Sequence, residues 1–445
     1  MKHSTNHFFA AFLTLVFSIG AFYAFKMLLP NKLFVEIKTS DNNIAVDSIA
    51  ALAIKQNEME EAMLVVPVVE SNVHPLDRFF KKLFALEKTK KGVVRVAYFG
   101  DSMVESDLMV HDIRKSYQDK YGGYGRGFVM LSNVHKPWGL SRYDFSPQWT
   151  THTFLRKSPI PVGVSGYVSI PQSNATVWTH FRHHVGAPPL ARAELFYGQS
   201  DNSNAKVTVI ASRDTSVITG LQTDKILNKQ PLTSSTAKEL MLRFSGASGI
   251  PFYGINFTDG DGIYFDNFPM RSSSGAPLAT LNVELMNAFQ QEFQYDLIIL
   301  KFLAWNIIKP QVKEYDWYAE LMTNTMKHLK ECFPGADILV VSSPDIARKY
   351  GTVMRTDYVL PSVLQAQEQY AEDSGAGFIN LFQLMGGTGS MIKWVNAGMA
   401  AKDYTHLSNS GAKRAANLIF NQIEEDYEEY KKENNLSIKE EFIND

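Results

Sequence analysis

Apolar residues along this chain follow two rhythms, and the switches between them divide it. The stretch Val93–Phe99, broken only by Arg95, is rich in β-branched and aromatic residues and predicts a strand buried on both faces of a parallel sheet. From Met103 the spacing becomes helical, through Leu108, Val110 and Ile113 as far as Tyr121. Just upstream, Leu76, Phe79, Phe80, Leu83, Phe84 and Leu86 predict an amphipathic helix starting near Pro75. Farther on, core strands are predicted at Asp296–Phe302, Asp337–Ser342 and Gly377–Asn380, with helices at Pro277–Phe293, Trp317–Glu331, Leu360–Asp373 and Gly411–Tyr427. Strand alternating with helix in this way predicts a three-layer α/β/α fold around a parallel sheet.

From Gln148 to Asp259 the rhythm is different. Short alternating segments such as Gly166–Ile170, Ala193–Tyr197, Lys206–Ala211 and Glu239–Phe244 are separated by Gly, Pro, Ser and Asn, which predicts an inserted all-β sandwich. The glycine-rich stretch Tyr121–Phe128 lacks the Gly-Lys-Ser/Thr ending of a phosphate loop and is read as a turn. At the N-terminus, Phe8–Phe25 is uncharged between Lys2 and Lys26, and no small-x-small cleavage site follows it, so it is read as an uncleaved membrane anchor. The expected layout is an anchor over 1–30, a linker over 31–74, an α/β domain in two parts over 75–147 and 260–430, the insertion over 148–259, and a tail over 431–445.

Composition narrows the function classes. With 445 residues, 45% apolar and 20% charged, the chain can bury a large core. A formal charge of −2 offers no basic excess for binding nucleic acid. The single cysteine, Cys332, excludes an intrachain disulfide and a cysteine-based zinc cluster. His180, His183 and His184 lack nearby acids, and Asp259–Gly262 lacks the distal glutamate of a calcium loop, so no metal and no cofactor are expected.

The chemistry gathers at strand ends. Ser102 follows the strand at 93–99, where the carboxyl edge of a parallel sheet places ligands. One reading makes Ser102 a helix cap paired with Glu105 in a Ser-x-x-Glu capping box. The other makes it a nucleophile, which needs a base and a group to orient that base. Asp403 and His406 supply both, with two residues between them on one loop after the last strand, and Asn306 follows another strand end with an amide able to serve an oxyanion.

These residues resemble the SGNH hydrolases, also called the GDSL esterase/lipase family, in Phe99-Gly100-Asp101-Ser102, Asn306 and Asp403-Tyr404-Thr405-His406. The resemblance implies Ser102 as nucleophile, His406 as general base, Asp403 as its orienter, and Asn306 with the Ser102 N–H in the oxyanion hole. The family's second block supplies a further N–H; here the matching loop is Arg271-Ser-Ser-Ser-Gly275, and either Ser272 or Gly275 fills the role. Leu303-Ala304-Trp305 departs from the family pattern before Asn306, and a bulky Trp305 would narrow the acyl pocket. The β insertion, the glycine-rich segments and the anchor resemble the periplasmic peptidoglycan O-acetylesterases. That implies a carbohydrate-binding-like insertion, an acetylated polysaccharide as substrate, and a catalytic domain in the periplasm held by a single-pass anchor in the bacterial inner membrane. A glycan O-acetyltransferase using the same triad and a catalytically weak glycan-binding scaffold are the alternatives.

Overall fold

The structure, a computed structural model, describes residues 74–436 apart from 134–135, 173–174, 186, 188 and 310. Its central sheet has five parallel strands in the order Gly262–Pro269, Val93–Gly100, Leu297–Lys301, Asp337–Val341 and Gly377–Ile379. Val94, Val96 and Tyr98 enter one apolar core while Ala97 and Phe99 enter another. The strand is apolar almost throughout because each face meets its own helical layer. Asp77–Thr89, Val110–Tyr121 and Asn409–Glu433 cover one face, and Val283–Phe293, Asp316–Cys332 and Leu360–Asp373 the other. In the first of these helices Phe79, Phe80, Leu83 and Leu86 are buried, each contributing roughly 1.5–3 kcal/mol. Gly100 stands level with Pro269 on one side and Lys301 on the other, so three strands reach the sheet's edge together.

Two antiparallel sheets make up most of the remainder. One runs Leu227–Pro231, Ala193–Gly198, Phe252–Asp259, Tyr167–Pro171, Trp149–Thr153, with Tyr124–Val129 also paired to Phe252–Asp259. The other runs Leu140–Phe145, Val177–His183, Glu239–Ser245, Lys206–Ala211, Asp214–Thr219. Leu131, Val177, Leu195, Leu242, Phe244 and Phe257 share one apolar core between them. These sheets recruit strands from upstream of Gln148, and the segment expected to be a glycine-rich turn is largely a strand. The reason is close approach: at Gly127, φ is +78° and a Cβ would sit 2.1 Å from Asp266 Oδ1.

The antiparallel region is joined directly to the parallel sheet. Phe252–Asp259 turns through Gly260 and Asp261 into Gly262–Pro269, an edge strand of the parallel sheet. Beneath this joint the buried Arg95 guanidinium donates to Asp266 (2.8 and 3.0 Å) and to Asn256 Oδ1 (2.7 Å). Asp266 also accepts from the Tyr295 hydroxyl (2.6 Å) and the Phe128 N–H (2.8 Å). Phe196 packs on Phe293 with centroids 4.8 Å apart, tying the six-stranded sheet to a helix of the α/β layers.

Among the described residues no helix is long and apolar enough to cross a membrane. The expected anchor at Phe8–Phe25 and linker at 31–74 lie outside the described residues, save for His74.

Candidate active site

Asp101 and Ser102 follow the strand Val93–Gly100 directly. The helix expected from Met103 onward is broken: a 3₁₀ turn covers Ser102–Asp107, and the α-helix begins only at Val110. Ser106, Asp107 and Met109 have φ of +53°, +67° and +66°, a left-handed course unfavourable to side chains with a Cβ. That course coincides with a buried anchor, since Asp107 accepts twice from Arg114, at 2.6 and 2.9 Å. The cap of the 3₁₀ turn is Asp101, whose Oδ1 accepts the Met103 N–H at 3.0 Å. Ser102 is thereby released from the capping box, and its Oγ lies 3.0 Å from His406 Nε2.

The loop bearing His406 is held by its own acid. Asp403 Oδ1 accepts the N–H groups of Thr405 and His406, both at 3.0 Å, while Oδ2 faces His406 Nδ1 at 2.8 Å. A carboxylate facing Nδ1 selects the tautomer with its proton there, leaving Nε2 to accept from Ser102. The Ala347 N–H donates to Tyr404 O at 3.0 Å and the Ala401 N–H to His406 O at 2.8 Å, pinning the loop to the body. Ser408 then caps the last helix through Gly411 N–H. Burial pushes the Asp403 carboxyl up, but the hydrogen bonds from His406 and Thr405 outweigh it and hold the group below the ordinary carboxylate range. Both side chains remain open to solvent, His406 by 45% and Asp403 by 51%.

Asn306 closes the 3₁₀ turn Ala304–Asn306. Its Nδ2 donates to Asp101 Oδ2 at 3.2 Å and to Ser273 O at 3.1 Å, joining the turn that carries Ser102 to the Arg271–Gly275 loop. That loop starts beside the strand Val93–Gly100, where the Met270 N–H donates to Gly100 O at 2.6 Å. The two candidates for the second-block donor are placed differently. The Gly275 N–H already donates to Ser273 Oγ at 3.1 Å, and a Cβ there would meet Phe302 at 2.8 Å, so this glycine serves packing. Ser272 has φ +59°, and its N–H makes no backbone hydrogen bond among the described residues. Trp305 is 49% exposed and lies against Arg348, with the guanidinium carbon 4.9 Å from the ring centroid.

Two residues near the site escape the sequence reading. Asp101 accepts from Met103, Leu303 and Asn306, and Lys301 is fully buried with Nζ 3.9 Å from Asp101 Oδ1. The lone cation in Asp296-Leu-Ile-Ile-Leu-Lys301-Phe302 was the available signal for Lys301. The three histidines of the β region diverge: His180 and Arg182 engage Glu239, His183 faces Ala187 O at 3.2 Å, and His184 faces Val185 O at 2.6 Å.

No family model matches this chain, and no curated protein matches its sequence. Among solved structures it is similar to a peptidoglycan O-acetylesterase at 22% identity and TM-score 0.65, over 79% of this chain and 96% of that one. It also aligns with protein YXIM of Bacillus subtilis (13% identity, TM-score 0.32, 64% and 90% covered) and with a family two carbohydrate esterase from Cellvibrio japonicus (9%, 0.26, 64% and 99%). At these identities only the first likeness bears on this chain, and it bears on the fold.

Proposed function

We propose that this chain, built on an SGNH/GDSL hydrolase-like fold, is a serine esterase that removes O-acetyl groups from an envelope polysaccharide, most specifically peptidoglycan. The observation that carries the reading is the relay Asp403 Oδ2, His406 Nδ1, His406 Nε2, Ser102 Oγ, with contacts of 2.8 and 3.0 Å. In this mechanism His406 takes the Ser102 proton as Oγ bonds to the acetyl carbonyl carbon. The charge arriving on the carbonyl oxygen is met by the Ser102 and Ser272 N–H groups and by the Asn306 amide, which exchanges its bond to Ser273 O for one to the oxyanion while keeping its bond to Asp101. The sugar oxygen then leaves with the proton from His406, and water, deprotonated by the same imidazole, releases acetate. The half-exposed imidazole leaves the acyl-enzyme open to water. The peptidoglycan O-acetylesterase of similar fold and the sequence resemblance support acetylated peptidoglycan as substrate. The anchor read at Phe8–Phe25 supports a periplasmic catalytic domain.

The test is p-nitrophenyl acetate hydrolysis by the full chain beside Ser102→Ala, followed by acetate release from O-acetylated peptidoglycan. Loss of both activities in the variant is expected. Equal rates in the two proteins would sink the serine mechanism, acetate from another glycan but not from peptidoglycan would sink the substrate, and an acetylated acceptor in place of free acetate would make the enzyme a transferase.

A further inference from the structure

Lys301 is the last residue of its strand, level with Gly100 on one neighbour and Val341 on the other. It is fully buried, and Nζ has no hydrogen-bond partner among the described residues. Its ion-pair partner is Asp101 Oδ1, at 3.9 Å. Burial pulls the ammonium below its ordinary value, and the Asp101 charge works against that pull. An ammonium without a hydrogen bond is costly in such a place, and a methionine would fill the same space without that cost. Packing therefore gives no reason for a lysine here.

Asp101 supplies the reason. Its oxygens accept the N–H groups of Met103 and Leu303 and the amide of Asn306, fastening the turn that carries Ser102 to the turn that carries Asn306. An ionised carboxylate suits this junction because it accepts at both oxygens and donates nothing. Its charge, however, stands one residue from the nucleophile and opposes the negative charge arriving on the ester carbonyl. We propose that Lys301 is a positioning residue acting through Asp101: its ammonium offsets the carboxylate's charge while the carboxylate holds Asn306 in place. The inference rests on the Ser102 mechanism above. For unit charges on the order of 7 Å apart at an effective dielectric of roughly 20–40, Coulomb's law puts the cost of an uncompensated charge at roughly 10- to 50-fold in rate.

The experiment compares the full chain with Lys301→Met, Asp101→Asn and the double variant, using p-nitrophenyl acetate kinetics and thermal unfolding. Lys301→Met is expected to lose roughly 10- to 50-fold in kcat, with KM within about twofold and an unchanged or higher unfolding midpoint. A purely structural lysine would not raise stability while lowering kcat. Added to Asp101→Asn, the same substitution is expected to change kcat less than about threefold, because a lysine buried here without a hydrogen bond gives up its proton once the Asp101 charge is gone and then has no charge to lose. The proposal is overturned if Lys301→Met keeps kcat within about threefold of the parent, or if its cost is the same in both backgrounds. Should Lys301→Met fail to fold, Lys301→Gln takes its place under the same criteria. Ser102→Ala separates the two levels: a dead Ser102→Ala beside an unimpaired Lys301→Met refutes the lysine's role alone, whereas an active Ser102→Ala refutes the mechanism beneath it.

Discussion

Replacing Asp403 by asparagine tests the relay more sharply than removing the serine, because the loop can survive the change. Asparagine Oδ1 can still accept the Thr405 and His406 N–H groups that now reach Asp403 Oδ1 at 3.0 Å. What changes is the contact of 2.8 Å between Oδ2 and His406 Nδ1, where an amide N–H now faces the ring. Two losses follow. The first is electrostatic: as His406 takes the serine proton, a carboxylate about 4 Å from the imidazolium centre stabilises it by ~4 kcal/mol at an effective dielectric of 20 and by ~1 kcal/mol in bulk water. With the two side chains 51% and 45% exposed, an intermediate figure of about 2 kcal/mol applies, or roughly 30-fold in rate. The second is the tautomer, since a donor opposite Nδ1 drives the ring proton to Nε2, where it confronts the Ser102 hydroxyl with no lone pair to offer. Steady-state kinetics with p-nitrophenyl acetate should show kcat reduced at least about 30-fold, with an unfolding midpoint close to the parent's. A folded Asp403→Asn variant with kcat within about threefold of the parent would refute the assignment of Asp403.

The remaining predictions concern pH and the frame around the site. Because Asp403 is held below the ordinary carboxylate range, its contribution is present above its unfolded value and lost only as pH falls through its lowered folded value. A pH–rate profile should therefore show the Asp403 contribution persisting to below the ordinary carboxylate range, and Asp403→Asn should remove any acid step found there. Asp296 behaves in the opposite sense: burial pushes its carboxyl from 3.8 to about 6, so the associated stability is full below pH ~4 and lost as pH rises through ~6. In urea titrations Asp296→Asn should gain on the parent by up to about 3 kcal/mol between pH 4 and pH 8; a constant difference across that range would contradict the burial argument. Arg95→Met strands the Asp266 carboxylate and should cost about 3–5 kcal/mol of stability, with Asp266→Asn added to it recovering part of the loss. Gly275→Ala puts a Cβ 2.8 Å from Phe302 at φ +95°, and its unfolding midpoint should fall by an amount equivalent to more than about 1 kcal/mol.

Much of this was legible in the sequence, for identifiable reasons. Val93–Gly100 announced itself because a strand covered on both faces has no polar side to disguise it. Ser102, Asp403 and His406 could be grouped because a serine nucleophile requires a base and an orienter, and the chain order placed Ser102 at a strand end and the pair on the loop before the last helix. The segment Tyr124–Val129 was misread because glycine marks turns more often than strands, and the approach of Asp266 that requires Gly127 comes from far along the chain. The break between Ser102 and Val110 was hidden because the apolar positions keep helical spacing while the Asp107–Arg114 contact coincides with a different backbone course. Asp101 and Lys301 were missed for a third reason: neither has a recognisable role until Asn306 is brought beside them.

The joint between the antiparallel sheets and the parallel sheet bears on how such a protein can be divided or recombined. A region hung on a flexible linker can be cut out, exchanged or grafted as a cassette. Here only Gly260 and Asp261 separate the strand ending at Asp259 from the one starting at Gly262, and the Arg95 guanidinium is held jointly by Asp266 and Asn256 from the two sides of that passage. A truncation that spared every residue of the parallel sheet would still expose this buried cation and deprive it of Asn256. The two regions should therefore melt in one transition, and a chimaera would need to inherit Tyr124–Val129, Phe252–Asp259 and Arg95 together or lose the sheet edge on which Ser102 stands.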